Sequence, residues 1–382
     1  MPGFETRAVH VGQEPDPVTG AVVPPLTLAT TFAQDEVGVP RGGYDYARAG
    51  TPTRTFLEGA IASLENAAHG YAFGSGLAAI DTVLRLLGAT DHVLIPHDAY
   101  GGTFRLIDRV HRPHGLRYTP VDLQRPEAIA EAWRPETRLV WIETPTNPTL
   151  SVIDIATVAA YAHDRGALVV VDNTFATPYL QRPLDLGADV VVHSLTKYLG
   201  GHSDVVGGFV ALSDDALAER VYFLQKAVGA VLAPFDCYLT HRGLKTLAVR
   251  LDRQCDNAEA IVELLTRHPA VDTVLYPGLP GHPHHDVAAK QMSRFGAMVS
   301  FTVRGGEPAA LRVVRATRLF TLAESLGAVE SLIEHPGRMT HTSTAGTPLE
   351  VDPGLIRLSV GIETIADLTA DLTTALDQAR PA

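Results

Sequence analysis

Two cysteines in 382 residues, Cys237 and Cys255, are too few and too widely spaced for a disulfide-braced scaffold or a Cys-x-x-Cys site. Reduced thiols in a cytoplasmic setting are the simplest account. No apolar run reaches the ~20 residues that cross a bilayer. The opening Met1-Pro2-Gly3-Phe4-Glu5 lacks the basic and apolar regions of a secretion signal. Positive charge is also short: 31 Lys+Arg stand against 43 Asp+Glu, a net −12. That argues against a nucleic-acid partner, because a phosphate backbone requires clustered cations. The chain has neither a Gly-Lys-Ser/Thr phosphate loop nor a Gly-x-Gly-x-x-Gly fingerprint, and no repeats. What remains is 46% hydrophobic and 19% charged, long enough for a large core and two domains.

Two stretches carry the chemistry. In the first, an apolar run from Asp189 to His193 reads as a buried strand, followed at once by Ser194, Thr196 and Lys197. A lysine at the mouth of a parallel-sheet strand can form a Schiff base with a carbonyl cofactor, and the hydroxyls beside it can bind a phosphate. Taken alone, the stretch reads better as a solvated lysine at a strand–loop junction. In the second, Ala167-Leu-Val-Val-Val-Asp172 predicts another buried strand ending in a carboxylate. A buried carboxylate is costly unless a cation or good hydrogen bonds accompany it. The alternative is a helix cap or turn residue. A protonated pyridine nitrogen would supply the cation, so Asp172 and Lys197 together point to pyridoxal 5′-phosphate.

Taken in order, residues 1–45 are rich in turn formers and read as an N-terminal arm. Tyr46 and Arg48 alternate, so an extended segment would present both to a phosphate; a surface loop pair is the alternative. A helix follows, with Thr53 as its expected cap. Phe73-Gly-Ser-Gly-Leu-Ala-Ala79 is a glycine turn into a helix expected over 78–87, which offers the amides of Gly76 and Leu77 to an anion. Tyr100 follows the strand His92–Pro96 and is placed to stack on a planar cofactor. Asn147 sits between Pro145 and Pro148, after a strand over 138–143, and can meet a cofactor oxygen or a substrate carboxylate. Repeated strand–helix alternation implies an α/β large domain (46–237) with a mainly parallel sheet. Residues 238–382, with a long helix expected over 244–265 and strands near 298–303 and 356–360, suggest a smaller α+β domain. Arg357 alternates with apolar neighbours and is either a carboxylate clamp or an exposed edge-strand charge. The Gly281-His-Pro-His-His285 run lacks metal-site spacing and reads as a surface loop.

Together these stretches, from Thr6-Arg-Ala-Val-His-Val-Gly12 to Leu355-Ile-Arg-Leu-Ser-Val-Gly-Ile-Glu363, resemble the Cys/Met-metabolism branch of the aspartate-aminotransferase-like, fold-type I pyridoxal phosphate transferases. The resemblance implies that Lys197 carries the cofactor, Asp172 pairs with its ring nitrogen and Tyr100 stacks on the ring and takes part in proton transfer. It implies that Gly76, Leu77, Ser194 and Thr196 hold the phosphate. Tyr46 and Arg48 would reach a neighbouring subunit's phosphate, in a homotetramer built from dimers with shared active sites. Asn147, Ser325, Arg357, Glu324 and Arg105 would contact a small amino-acid substrate, and no metal is expected. Glu324 suits the distal ammonium of cystathionine, which puts a β-lyase behind; the motifs do not decide between γ-lyase and γ-synthase, and γ-elimination of the cystathionine γ-lyase type is the reading put first. The γ-synthase comes next, then a methionine γ-lyase, disfavoured because Gly102 stands where those enzymes usually carry cysteine. An aminotransferase is the alternative outside this class. Gly200 and Ala328 depart from the family pattern near the site.

Overall fold

The computed structural model describes residues 2–341, 346 and 350–378. A short antiparallel hairpin, β1 (Gln34–Glu36) and β2 (Val39–Pro40), decorates the N-terminal arm. Seven strands build the main sheet: β3 (His69–Phe73), β4 (His92–Pro96), β5 (Arg117–Val121), β6 (Thr137–Glu143), β7 (Leu168–Asp172), β8 (Val190–Ser194) and β9 (Gly208–Leu212). Their order is β3-β9-β8-β7-β6-β4-β5, and only β9 runs antiparallel to its neighbours. The fold is α/β with a mainly parallel sheet. Its central strands are continuous runs of Val, Leu and Ile because both faces are covered. Val170, Val190, Val192 and Val210 pack on one face with Ile80, Val83 and Leu84 of the helix Gly76–Leu84. Val140, Ile142, Val169 and Val171 pack on the other with Ile155 and Val158.

After β4 the chain first goes outward to β5 and then returns to the other side of β4 as β6. Such a reversal leaves a crevice at the carboxyl ends of the two strands, where open α/β sheets bind ligands. The loops after β4 and β6 carry Tyr100 and Asn147. A second sheet, β10 (Val271–Leu275), β11 (Met298–Val303), β12 (Thr321–Leu322), β13 (Leu332–Glu334) and β14 (Leu355–Ser359), has the order β10-β11-β14-β13-β12. Ile356 and Leu358 pack into the core shared with the helices Leu247–Arg267 and Ile365–Asp377. Period-two alternation therefore turns Arg357 to the opposite face, towards Asn147.

The structure corrects several local expectations. Thr51, not Thr53, caps the helix Pro52–Leu64: its side chain accepts from Arg54 N at 3.2 Å, and Pro52 takes the first helical position. Thr53 lies inside the helix and accepts from Thr27 N. The helix expected over 78–87 spans Gly76–Leu84. The long helix expected over 244–265 spans Leu247–Arg267, starting after Thr246, which lies outside helical geometry; a separate helix, Pro234–Leu244, precedes it. Strands β3 and β5 escaped the sequence reading: both are half-buried and carry polar, Gly or Pro residues in place of an apolar run.

Candidate active site

At the carboxyl ends of β4, β6, β7 and β8 lies a cavity of about 400 Å³. Its walls bring together Gly76, Leu77, Tyr100, Asn147, Asp172, Ser194, Thr196, Lys197, Glu324, Ser325 and Arg357, residues spread between positions 76 and 357 of the chain.

One end is built for an anion. Ser75 caps the helix Gly76–Leu84 by accepting from Ala78 N at 3.0 Å, and the amides of the first turn face the cavity beside Ser194. A Cβ at Gly76 would stand 3.1 Å from Ser194 Cβ, so glycine is what admits the serine so close. Thr196 Oγ1 accepts from Gly207 N at 3.1 Å, which ties the loop after β8 to the start of the returning strand.

At the centre, Lys197 Nζ donates to Ser325 Oγ at 2.8 Å. Burial, and then the charge of Arg357, lower its pKa to about 8. Asp172 ends β7 and accepts from Thr174 N at 3.0 Å. Glu143, its register partner on β6, accepts from Tyr100 N at 2.9 Å and from Asn147 N at 2.8 Å. Burial raises the pKa of both acids, and Asp172 raises that of Glu143 further. Two carboxyls in register, Glu143 buried and Asp172 half-buried, with no ion pair to either among the described residues, call for a positive charge from a ligand. Asp172, on the cavity wall, is the one open to it. Tyr100 stands at the start of the helix Gly101–Leu106, and burial raises its phenol pKa, which keeps it a proton donor.

At the far end Arg357, 2% exposed, donates from Nη1 to Asn147 Oδ1 at 2.6 Å and from Nη2 to Ser325 O at 2.8 Å. Its ion-pair partner is Glu334 Oε1, at 2.9 Å. Ser325 holds a positive φ of 107°, which turns its carbonyl to the arginine and its hydroxyl to the lysine. Asp98 Oδ2 accepts from Thr146 Oγ1 at 2.6 Å and Ser151 Oγ at 2.8 Å, pinning the loop that bears Asn147. Glu324 is exposed at the mouth, on the boundary with a second recess of about 590 Å³ that also holds Asp204 and Glu330.

Three candidate residues lie outside the cavity wall. Arg105 is exposed, although its charge acts on the Tyr100 phenol. Tyr46 and Arg48 form a surface pair, with the guanidinium 5.6 Å from the ring centroid and Nη1 donating to Lys226 O at 2.8 Å. Gly200 and Ala328 also lie outside the wall; the Ala328 carbonyl accepts from Gln254. In the histidine run, His285 stacks on Phe295 and bonds Pro277 O, and no metal-type cluster occurs among the described residues. Sequence reasoning missed Ser75, Glu143, Thr174, Glu334 and Thr340. Glu143 carried the same signal as Asp172, a carboxylate closing an apolar strand. Ser75 carried one too, a serine placed to cap the helix three residues on, whereas Glu334 had none, since its partner Arg357 lies on another strand.

An anion cradle, a buried amine and a carboxyl in want of a cation, set around a crevice of this size, define a pyridoxal-phosphate-binding α/β enzyme. The chain belongs to the Cys/Met metabolism PLP-dependent enzymes, whose family model matches residues 5–377. Its cofactor is pyridoxal phosphate. It is 58% identical over 375 residues to a cystathionine γ-synthase of Mycobacterium bovis, covering 98% of this chain and 97% of that one. It is 50% identical over 376 residues to a cystathionine γ-lyase of Dictyostelium discoideum, with the same coverages. It superposes with a TM-score of 0.97 at 46% identity on cystathionine γ-synthase from Xanthomonas oryzae pv. oryzae in complex with aminoacrylate and cysteine, covering 99% of both chains.

Proposed function

We propose that the chain is a cystathionine γ-synthase, replacing the γ-substituent of an activated homoserine ester with the sulfur of cysteine. The motifs do not decide between γ-lyase, the expectation from sequence, and γ-synthase; the greater identity to the Mycobacterium bovis synthase supports synthesis. The recess beyond Glu324 is consistent with it, since γ-replacement must seat a second amino acid beside the first. The lyase remains the second reading, supported by the Dictyostelium relative, because both reactions pass through the same loss of a group from Cγ.

Pyridoxal phosphate, when bound, supplies an electron sink for negative charge at the substrate's Cα and Cβ. The rest falls to the protein. Gly76, Leu77, Ser194 and Thr196 would hold the phosphate, and Asp172 would pair with the ring nitrogen. Arg357 and Asn147 orient the α-carboxylate through a planar fork. Lys197, freed from carrying the cofactor, moves protons at Cα and Cβ, kept in place by Ser325. The Tyr100 phenol assists these transfers; a Tyr100→Phe variant with intact turnover would remove it from that role. Glu324 receives the ammonium of the incoming cysteine. Tyr46 and Arg48, facing outward here, reach the phosphate of a neighbouring subunit in a tetramer of two dimers.

A product assay by mass spectrometry tests the direction. Cystathionine formed from L-cysteine and an O-acylhomoserine supports the synthase. Cysteine, 2-oxobutyrate and ammonia released from cystathionine alone, with no synthesis, would establish the lyase and overturn it.

A further inference from the structure

Behind the cofactor wall lies a buried glutamate–histidine pair that the chemistry above does not use. Asp172, Val192 and Ser194 face the cavity, so the intervening residues Asn173 and His193 turn to the back of the sheet. There Glu65, which closes the helix Pro52–Leu64, meets both. A single oxygen, Glu65 Oε1, bonds His193 Nε2 at 2.5 Å and accepts from Asn173 Nδ2 at 3.1 Å. Asn173 also donates to Gln181 O at 2.8 Å and accepts from Gln181 Nε2 at 3.0 Å. Glu65, Asn173 and His193 are fully buried. A carboxylate and an imidazole withdrawn from water in this way cost several kcal/mol unless they serve one another.

Their place in the sheet is informative. The last ladder bond between the two strands runs from Asn173 N to Val192 O. Beyond it β7 leaves towards Thr174 and β8 towards the lysine loop. We propose that Glu65 and His193 are a positioning pair that fixes the separation of Asp172 from the Ser194–Lys197 loop, and hence the span between ring-nitrogen and phosphate contacts of the cofactor. Glu65 is the group that faces His193 from the helix packed behind it.

The test measures cofactor affinity, as pyridoxal phosphate Kd from absorbance titration of the cofactor-free full chain. Glu65→Ala releases both strand ends and is expected to raise Kd about tenfold or more. His193→Gln retains a donor to Glu65 and should leave Kd near wild type, whereas His193→Leu, which removes that donor, should raise it. A folded Glu65→Ala protein with wild-type Kd would overturn the proposal. Should Glu65→Ala fail to fold, the two His193 variants decide: a Kd raised in His193→Leu and restored in His193→Gln supports the pair, and a wild-type Kd in His193→Leu reduces it to core packing.

Discussion

Lys197 attacks a carbonyl only as the neutral amine, and burial and Arg357 have lowered its pKa to about 8. Below that value the neutral fraction grows about tenfold per pH unit; above it the fraction saturates. Cofactor uptake by the free chain, followed by stopped-flow absorbance, should therefore accelerate with pH up to about 8 and then level off. A profile still climbing a unit or more higher would mean that the amine is unperturbed. At the clamp, Arg357→Ala strips Glu334 of its ion-pair partner inside the protein. We expect a stability loss of about 3–5 kcal/mol together with a raised KM. Pairing it with Glu334→Gln should restore the melting temperature but not the KM. Lys197, Asp172 and Asn147 were legible because strand ends and proline-flanked loops announce themselves locally. Glu334 was silent: only the register of β13 on β14, which pairs it with Arg357, makes it part of the site.

The helix Gly76–Leu84 depends on one side chain at its start, Ser75. Ser75→Ala should cost about 1 kcal/mol in thermal or denaturant unfolding and weaken cofactor binding as well, because the same turn faces the phosphate. The helix Gly101–Leu106 is constrained differently. A Cβ at Gly102 would stand 2.4 Å from Tyr100 Cε1, so Gly102→Ala must push the ring aside. Turnover should fall more than KM rises; unchanged kcat would show that the Tyr100 ring position is not needed. The buried strands β4 and β6 to β8 stood out in the sequence because a short, uninterrupted aliphatic run bounded by turn residues favours a strand covered on both faces. The sequence did not reveal that β9 runs antiparallel, since direction is set by where the chain returns and leaves no trace in an apolar pattern.

At the scale of the whole molecule, the outward-facing Tyr46–Arg48 pair bears on whether one chain suffices. If sites are shared between subunits, mixing and reassembling Lys197→Ala with Arg48→Ala chains should recover activity that neither variant has alone. No recovery in verified mixed oligomers would confine each site to its own chain. One further consequence comes from the return of β9 beside β8, which pairs Ser194 with Gly208. That pairing closes the lysine loop within a short span of chain. The bonds that complete the substrate end join residues 128 positions apart (Lys197 to Ser325) and 210 apart (Asn147 to Arg357). Short-range closure carries the smaller entropic cost. We therefore expect the cofactor half of the pocket to be in place during folding before the clamp exists, so that a chain still emerging from the ribosome could engage its cofactor ahead of its substrate. Pulse-labelling hydrogen exchange during refolding would reveal the order, with β7 to β9 protected before β13 and β14.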